Sequence, residues 1–561
     1  MKKILICLFG VSLFLTSCAT VQQQIGKVAL KLMTKKEKDF SSIAAIGKYD
    51  LNLYPTDVGI SMLGTEDWEA GQNAVGVQFL KPEGAVGLIS LDGTVTVDGK
   101  EAISYGGGVY MALFDHDDTS PKTVRVENVD GDATEFTLNA PPQVTIKSIN
   151  GKTAGAEINL SESFELELEY DASAEGKRVQ IALITSAVGA KGFAYFQSTL
   201  VKGRITVPAD AFKHKHINGG GPTGKDVTKW VKGDNHIQVV LIEQDRSASA
   251  EPFAYFKKIN TAYDTVPVTI TGDTEGRSYV RANGTSDESS GEFKYEATSS
   301  NAWYARPLST NIGRIGISSL SVSGTLYKQE VETSESDNYL TGYREITTTT
   351  TTFQFPELDD QYWDQFLENM YSDLVGMLEN DYKASVVDVN QITANPIYDD
   401  FYTPKDENTT EYIAKNLRET KRLIPTSLGE ILADRTTALV ADGGTTPRLL
   451  RDMNMDAFMD VVINYQVAGG DNNTIVLLPN VSFRVIGETQ AFDGSTNVWL
   501  QGNIQGPGVP FSEAEFSNLN ALNRIGQKDV IIKLIKQSIE ELTIEQSEFG
   551  YDEVWNVTLS N

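Results

Sequence analysis

Phe164-Glu165-Leu166-Glu167-Leu168-Glu169-Tyr170 decides how the first half of the chain is read. Every second residue is apolar and those between are all glutamate; side chains on a strand alternate between faces, so one face enters a core and the other meets water. Similar strands are expected at Val179 to Ile184, Ile205 to Val207, Ile237 to Ile242 and Phe253 to Phe256. Regular strands with polar turns and no helical period predict an immunoglobulin-like β-sandwich over residues 141–264. No Cys…Trp…Cys spacing accompanies them, so the prediction concerns architecture and not a family.

Upstream, residues 45–140 carry short alternating runs such as Thr94 to Val97, Lys122 to Val126 and Thr134 to Leu138. Asp92-Gly93, Asp98-Gly99 and Asp130-Gly131 supply hairpin turns, because glycine tolerates positive φ. A first β-sandwich is expected here, ending at Pro141-Pro142, which cannot continue a ladder. Downstream, residues 265–316 are polar and rich in Gly and Ser, with a turn signal at Asn283-Gly284, and are expected to form a linker with a hairpin or two.

The pattern then changes class, and residues 317–561 are expected to form an α+β domain with a mixed or antiparallel sheet and helices on one face. Trp363, Phe366, Leu367, Met370, Leu374 and Leu378 follow the three-and-four spacing of one buried helical face, capped by Asp359 or Asp360. Helical pieces are expected over Thr410 to Leu423 and Leu428 to Val440. Met459 to Val467 begins an antiparallel meander that continues through Val481 to Val485 and Val498 to Ile504. Ser512 with Glu513 and Glu515 caps a last helical region, broken near Gly526. The six threonines Thr347 to Thr352, on one arm of an inserted hairpin, suit a solvated edge strand.

The chain has 561 residues, 76 acidic against 48 basic, and a formal charge of −28. That balance repels phosphate backbones and disfavours nucleic acid as a partner. Cys7 and Cys18 are the two cysteines. A mature chain in which the first is removed and the second modified has no disulfide and no thiolate chemistry.

At the amino end, Lys2 and Lys3 precede a hydrophobic run from Ile4 to Leu15, too short to span a bilayer comfortably, and then Leu15-Thr16-Ser17-Cys18. This stretch resembles the lipobox of bacterial lipoproteins. The resemblance implies a signal peptide over residues 1–17, with Leu15, Thr16 and Ser17 read by the processing machinery, and a Cys18 thiol that carries diacylglycerol with further acylation such as palmitate. It also implies a lipidated tether over residues 18–44, and Ala19, which is not the retention Asp, points to the outer membrane. The covalent lipid is the one cofactor expected.

The order of elements in the last domain, with Asp456-Ala457-Phe458-Met459-Asp460-Val461-Val462-Ile463 and Asp493-Gly494-Ser495-Thr496-Asn497-Val498-Trp499, resembles periplasmic lipoproteins of the curli-secretion and peptidoglycan-synthase-activator type. That likeness implies an envelope adaptor, non-enzymatic, whose partners are the membrane through the anchor and other envelope proteins or cell wall.

Several local patterns compete with this view. Gly219 to Lys225 has the glycine and lysine spacing of a phosphate-cradling loop, but Asp226 stands where Ser or Thr must hold magnesium, and a glycine-rich turn is the better account. His214 and His216 would share one face of a strand and are the candidate metal ligands; surface histidines explain them without a third ligand. Asp115, Asp117 and Asp118 around His116 have the alternating carboxylates that suit calcium but lack the rest of a known loop. Asp359-Asp360 and Asp399-Asp400 read as caps and turns. A carbohydrate-binding surface lipoprotein is the alternative, with Trp68, Trp230 or Trp303 beside Tyr304 stacking on sugars. An uncharacterised hydrolase ranks last, with no motif behind it.

Overall fold

The computed structural model describes residues 34–53, 71–80, 88–187, 190–201, 203–209, 211–212, 216–217, 227–229, 235–245, 251–272, 275–277, 279–300, 302–310, 312–338, 343–401, 411–424, 444–470, 474–489, 496–552 and 554–555. The signal peptide, the Leu15 to Cys18 box, most of the tether, Trp68, Trp230, His214, the Gly219 to Lys225 run, Leu428 to Val440 and Asp493-Gly494 lie outside these residues. The described chain is mostly β-sheet, with a few helices toward the carboxyl end.

In the first half the principal strands are β1 (Ala44–Leu53), β2 (Gln72–Leu80), β3 (Val109–Phe114), β4 (Phe164–Tyr170), β5 (Arg178–Ala187), β6 (Ala190–Thr199), β7 (Asn235–Asp245) and β8 (Tyr255–Thr271). Along β4, Phe164, Leu166 and Leu168 are buried while Glu165 and Glu169 face solvent, so the alternation in the sequence sets its orientation. β4 lies between Val144–Ile149 and Arg204–Val207 in a three-stranded sheet. That sheet packs on β5, β7 and β8 through Ile146, Leu166, Leu168 and Ile205 against Val179, Ile181, Ile237 and Val239. A four-stranded sheet of Gly93–Val97, Lys100–Glu101, Lys122–Asn128 and Ala133–Leu138 covers β1 to β3 in the same way. The Asp98-Gly99 turn has the positive φ angles, 48° and 79°, that a tight hairpin demands.

Two sandwiches were expected as separate units, and they are joined. β1 pairs in parallel with β8, Ala44 opposite Tyr255 through Leu51 opposite Ala262, so one ten-stranded sheet and one core run through both. Pro141-Pro142 leads from one cover sheet to the next without dividing the core. The edge of each sandwich is removed by the other, which satisfies backbone groups that an open edge would leave to solvent.

The second half is built from β9 (Tyr279–Glu288), β10 (Gly291–Ser300), β11 (Arg314–Thr325), β12 (Tyr327–Asn338), β13 (Tyr343–Gln354), β14 (Ser385–Val387), β15 (Tyr412–Asn416), β16 (Ala457–Gly469), β17 (Ile475–Glu488) and β18 (Thr496–Gln505). The helices are α1 (Asp360–Asn380), α2 (Val389–Thr393), α3 (Thr445–Asp452), α4 (Ala521–Ile525) and α5 (Lys528–Glu548). An eight-stranded mixed sheet runs β9-β10-β18-β17-β16-β11-β14, with β15 also on β11. β11 pairs in parallel with β16 and β14, and the other pairs are antiparallel.

Three expectations change here. The stretch read as a linker supplies the hairpin β9–β10, which adds two strands to this sheet, and Ala302, Ala305 and Leu308 enter its core. Val280, Ala282, Phe293, Tyr295 and Ala297 carry the period-two signal, hidden by the polar residues between them. Asn283-Gly284 is strand and not turn: Gly284 sits where a Cβ would fall 2.4 Å from the Tyr295 hydroxyl. The expected helix over Thr410 to Leu423 is instead β15 and an extended run, because Ile413 and Leu417 serve a sheet edge.

The third change concerns the sheet faces. α1 and α5 cover one face, and every residue of the predicted stripe from Trp363 to Leu378 is buried there, each worth ~1.5–3 kcal/mol. At one end the opposite face is covered as well, by α2, α3 and the turn Pro396–Asp400, through Ile392, Tyr398, Leu449 and Leu450 packed on Phe458. Helices therefore lie on both faces and not on one, which explains why β11 is buried along almost its whole length. Ser512 and Glu515 form a reciprocal capping box, and Gly526 separates α4 from α5, as expected. β12 and β13 stand as a separate two-stranded ladder with Thr347 to Thr352 exposed.

Candidate functional site

Alternation along the strands of the second half divides the large sheet into two unlike faces. Phe293, Tyr295, Val461, Ile463, Val481, Phe483, Leu500 and Ile504 join the core under α1 and α5. Their sequence neighbours point the other way, and strand register places them in rows. One row reads Arg281, Thr298, Gln501, Arg484, Asp460 and Ser319; the next reads Asn283, Glu296, Asn503, Ser482, Val462 and Ser321; the third reads Thr285, Lys294, Gln505, Asn480, Asn464 and Ser323. Val462 is the single aliphatic residue in three rows. A sheet face of amides, hydroxyls and ion pairs beside an apolar one is the most distinctive chemical feature among the described residues.

The face has a buried end and an open end. At the buried end Arg484 Nε donates to Asp460 Oδ2 at 3.0 Å, with side chains 6% and 1% exposed. Arg484 Nη2 donates to the Leu423 carbonyl at 2.8 Å, and the Leu423 amide donates to Ser319 Oγ at 3.1 Å. A bulge at Ser318-Ser319 opposite Asp460 lets the Ser318 hydroxyl donate to Asp460 Oδ1 at 2.5 Å. Tyr398 donates to the Ser318 carbonyl at 2.6 Å and accepts from the Lys421 amide at 2.9 Å, and burial pushes its phenol well above its ordinary value. These bonds staple the Thr420 to Ile424 segment across the sheet. Ser321 Oγ, in the middle row, is buried and has no hydrogen-bond partner among the described residues.

At the open end, on β9, β10 and β18, the polar side chains of the three rows are exposed except Thr298 and Asn503, which are half-buried. Asn503 Nδ2 donates to Asn480 Oδ1 at 3.0 Å and to Ser482 Oγ at 3.2 Å, which fixes its amide plane. Arg281 pairs with Glu296 at 3.2 Å. Asn283, Thr285, Lys294, Gln501 and Gln505 make no side-chain hydrogen bond or ion pair among the described residues. A groove of about 420 Å³ is lined by Asn283, Thr285, Lys294, Glu296, Asn503 and Gln505.

The residues singled out in the sequence fall elsewhere. His116 is exposed with Nε2 2.9 Å from Asp117 Oδ1. The loop around it is built on Asn73, whose Nδ2 meets the carbonyls of Asp115, His116 and Asp118, each at 3.0 Å. Asp118 is held down to about 2 by the Lys122 ammonium at 2.6 Å and by Ser120, so a lysine nitrogen takes the place a cation would need. Among the described residues no three His, Cys, Asp or Glu side chains converge as a metal site. Asp360 pairs with Lys415 and Asp400 with Arg448, as expected of residues at caps and turns. Trp303 is 4% exposed and belongs to the fold, so it is no stacking platform. His216 lies on a short strand opposite Phe193.

No family model and no curated protein sequence matches the chain. The signal that would have found the face is the repetition of polar residues at matching register on six neighbouring strands, and register is nonlocal.

Proposed function

We propose that this chain is a lipid-anchored protein of the bacterial cell envelope, held by an acylated Cys18 in the outer membrane, which acts without catalysis by binding another envelope component. The observation that carries the reading is the Leu15-Thr16-Ser17-Cys18 box behind Lys2, Lys3 and a short apolar run. Among the described residues no helix is long and apolar enough to cross a membrane, which is compatible with anchoring by lipid. Within the reading, the first half is a pair of immunoglobulin-like sandwiches that act as a spacer, and the second half presents the binding face.

The polar face favours recognition over reaction. Its two carboxylates are each paired with an arginine, Asp460 with Arg484 and Glu296 with Arg281, an arrangement that holds geometry instead of moving protons. A carbohydrate ligand is the second reading, favoured by the open amides and not by an aromatic shelf.

Metabolic labelling with a palmitate analogue in a bacterial host tests the anchor. The wild-type protein is expected to carry the label and to fractionate with membranes, and Cys18→Ala to lose both. A Cys18→Ala protein that still takes up label overturns the reading.

A further inference from the structure

Resting on the reading of an envelope binding protein, we propose that the groove across β9, β10 and β18 binds a neutral, polyhydroxylated chain, that is, a glycan strand. Six side chains set its chemistry: Asn283, Thr285, Lys294, Glu296, Asn503 and Gln505. Amides and hydroxyls offer donors and acceptors side by side, which is the pattern a sugar hydroxyl presents in return. Asn283, Thr285, Lys294 and Gln505 have no side-chain partner among the described residues, so their hydrogen-bonding capacity is available to a ligand.

Charge selects among possible occupants. Lys294 lies next to Gln505 in register, and Glu296, two positions along, is already paired with Arg281, so the groove offers one open cation, too little for a polyphosphate, and no open anion for a polycation. The chain's net charge of −28 weighs further against an acidic polymer. A folded protein partner is a poor fit too, because the centres of protein interfaces are aromatic and apolar, and the exposed groove positions carry no such side chain; the Tyr295 ring points into the core. Strands spaced ~4.8 Å apart repeat the same donor and acceptor types across the sheet, which suits a ligand whose own groups repeat along a chain.

The mature full-length protein, purified in detergent, is offered a glycan array of neutral and acidic saccharides together with affinity electrophoresis through soluble neutral polysaccharides. Neutral saccharides are expected to bind, and the double variant Asn283→Ala, Gln505→Ala to weaken that binding about tenfold, the effect of two lost hydrogen bonds. Both side chains are exposed and have no side-chain partner among the described residues, so the melting temperature should not move; Thr349→Ala on the distant hairpin is the control and should bind as wild type. Failure of every neutral saccharide to bind overturns the proposal, as does binding that the double variant leaves intact. Binding confined to acidic saccharides and abolished by Lys294→Ala also overturns it in favour of an anion site. Palmitate labelling of the same preparation is read separately: label without neutral-glycan binding removes the groove assignment and leaves the anchor, and the reverse result removes the anchor alone.

Discussion

Arg484 and Asp460 form an ion pair sealed inside the sheet, 3.0 Å apart on neighbouring strands, and the same arginine holds the Leu423 carbonyl at 2.8 Å. Removing one member of a buried pair strands the other without solvent. Asp460→Ala is expected to cost ~3–5 kcal/mol, and the double change Asp460→Leu, Arg484→Met to recover more than half of it. Urea unfolding midpoints check both values, and a double variant as unstable as the single one would show that the pair does more than neutralise itself.

Asp50 sits on β1 at 5% exposure, and burial raises its carboxyl to about 6, with Lys48 and Thr261 only partly offsetting the cost. A carboxyl with a raised folded value holds its proton more tightly in the folded chain than in the unfolded one, where 3.8 applies. Its contribution to stability is complete below 3.8 and is lost as pH rises through about 6. Asp50→Asn should therefore match wild type near pH 4 and exceed it above pH 6 by up to ~3 kcal/mol. Chemical unfolding at a series of pH values reads this directly; equal stabilities at pH 8 would contradict it.

Arg306 lies against two indoles that touch each other, its guanidinium carbon 5.9 Å from the centre of the Trp499 ring and 5.5 Å from that of the Trp555 ring, with the ring centres 6.2 Å apart. Trp555 Nε1 donates to the carbonyls of Ala302 and Ala305 at 2.8 and 3.0 Å, which ties the carboxyl end to the 302–310 segment. Trp555→Phe keeps most of the ring but leaves two buried acceptors unpaired, an expected loss of ~1–3 kcal/mol. Trp555→Ala should lose ~3–5 kcal/mol. Thermal unfolding that ranks the two variants the other way would refute this account of the contact.

The β12–β13 ladder is attached at its root, where Phe353 packs on Gly469 of β16. A Cβ on Gly469 would fall 2.4 Å from the Phe353 ring, so Gly469→Ala is expected to destabilise by ~1–3 kcal/mol. Replacing Gln329 to Thr352 by a short turn should change stability by less than ~1 kcal/mol, because those strands are largely exposed. Hydrogen exchange should be fast through Thr347 to Thr352 and slow through Val461 to Tyr465, since a lone two-stranded ladder is marginal in water. Protection of the threonines equal to that of β16 would mean that the ladder has a partner.

Local period made much of the fold legible. The glutamate alternation of β4, the stripe on α1, the Asp98-Gly99 turn, the Ser512 box and the Gly526 break are each decided by neighbours within a few residues, and each stands where the sequence places it. What was not legible depends on partners far away in the chain. The parallel pairing of β1 with β8 joins residues about two hundred positions apart, and nothing in either strand names the other. Val280, Phe293 and Tyr295 are scattered apolar residues in a polar stretch, and the pairing of β10 with β18 is what gives them a core to enter. The polar face is the same case: Asn503 or Ser482 alone reads as a solvated residue, and only register turns them into one surface.

Intact-mass spectrometry of the protein extracted from bacterial membranes tests the central claim most directly. A mature chain that begins at Cys18 and carries the added mass of a diacylglyceryl group with acyl chains is the predicted result. A soluble product with an unmodified Cys18 would contradict it.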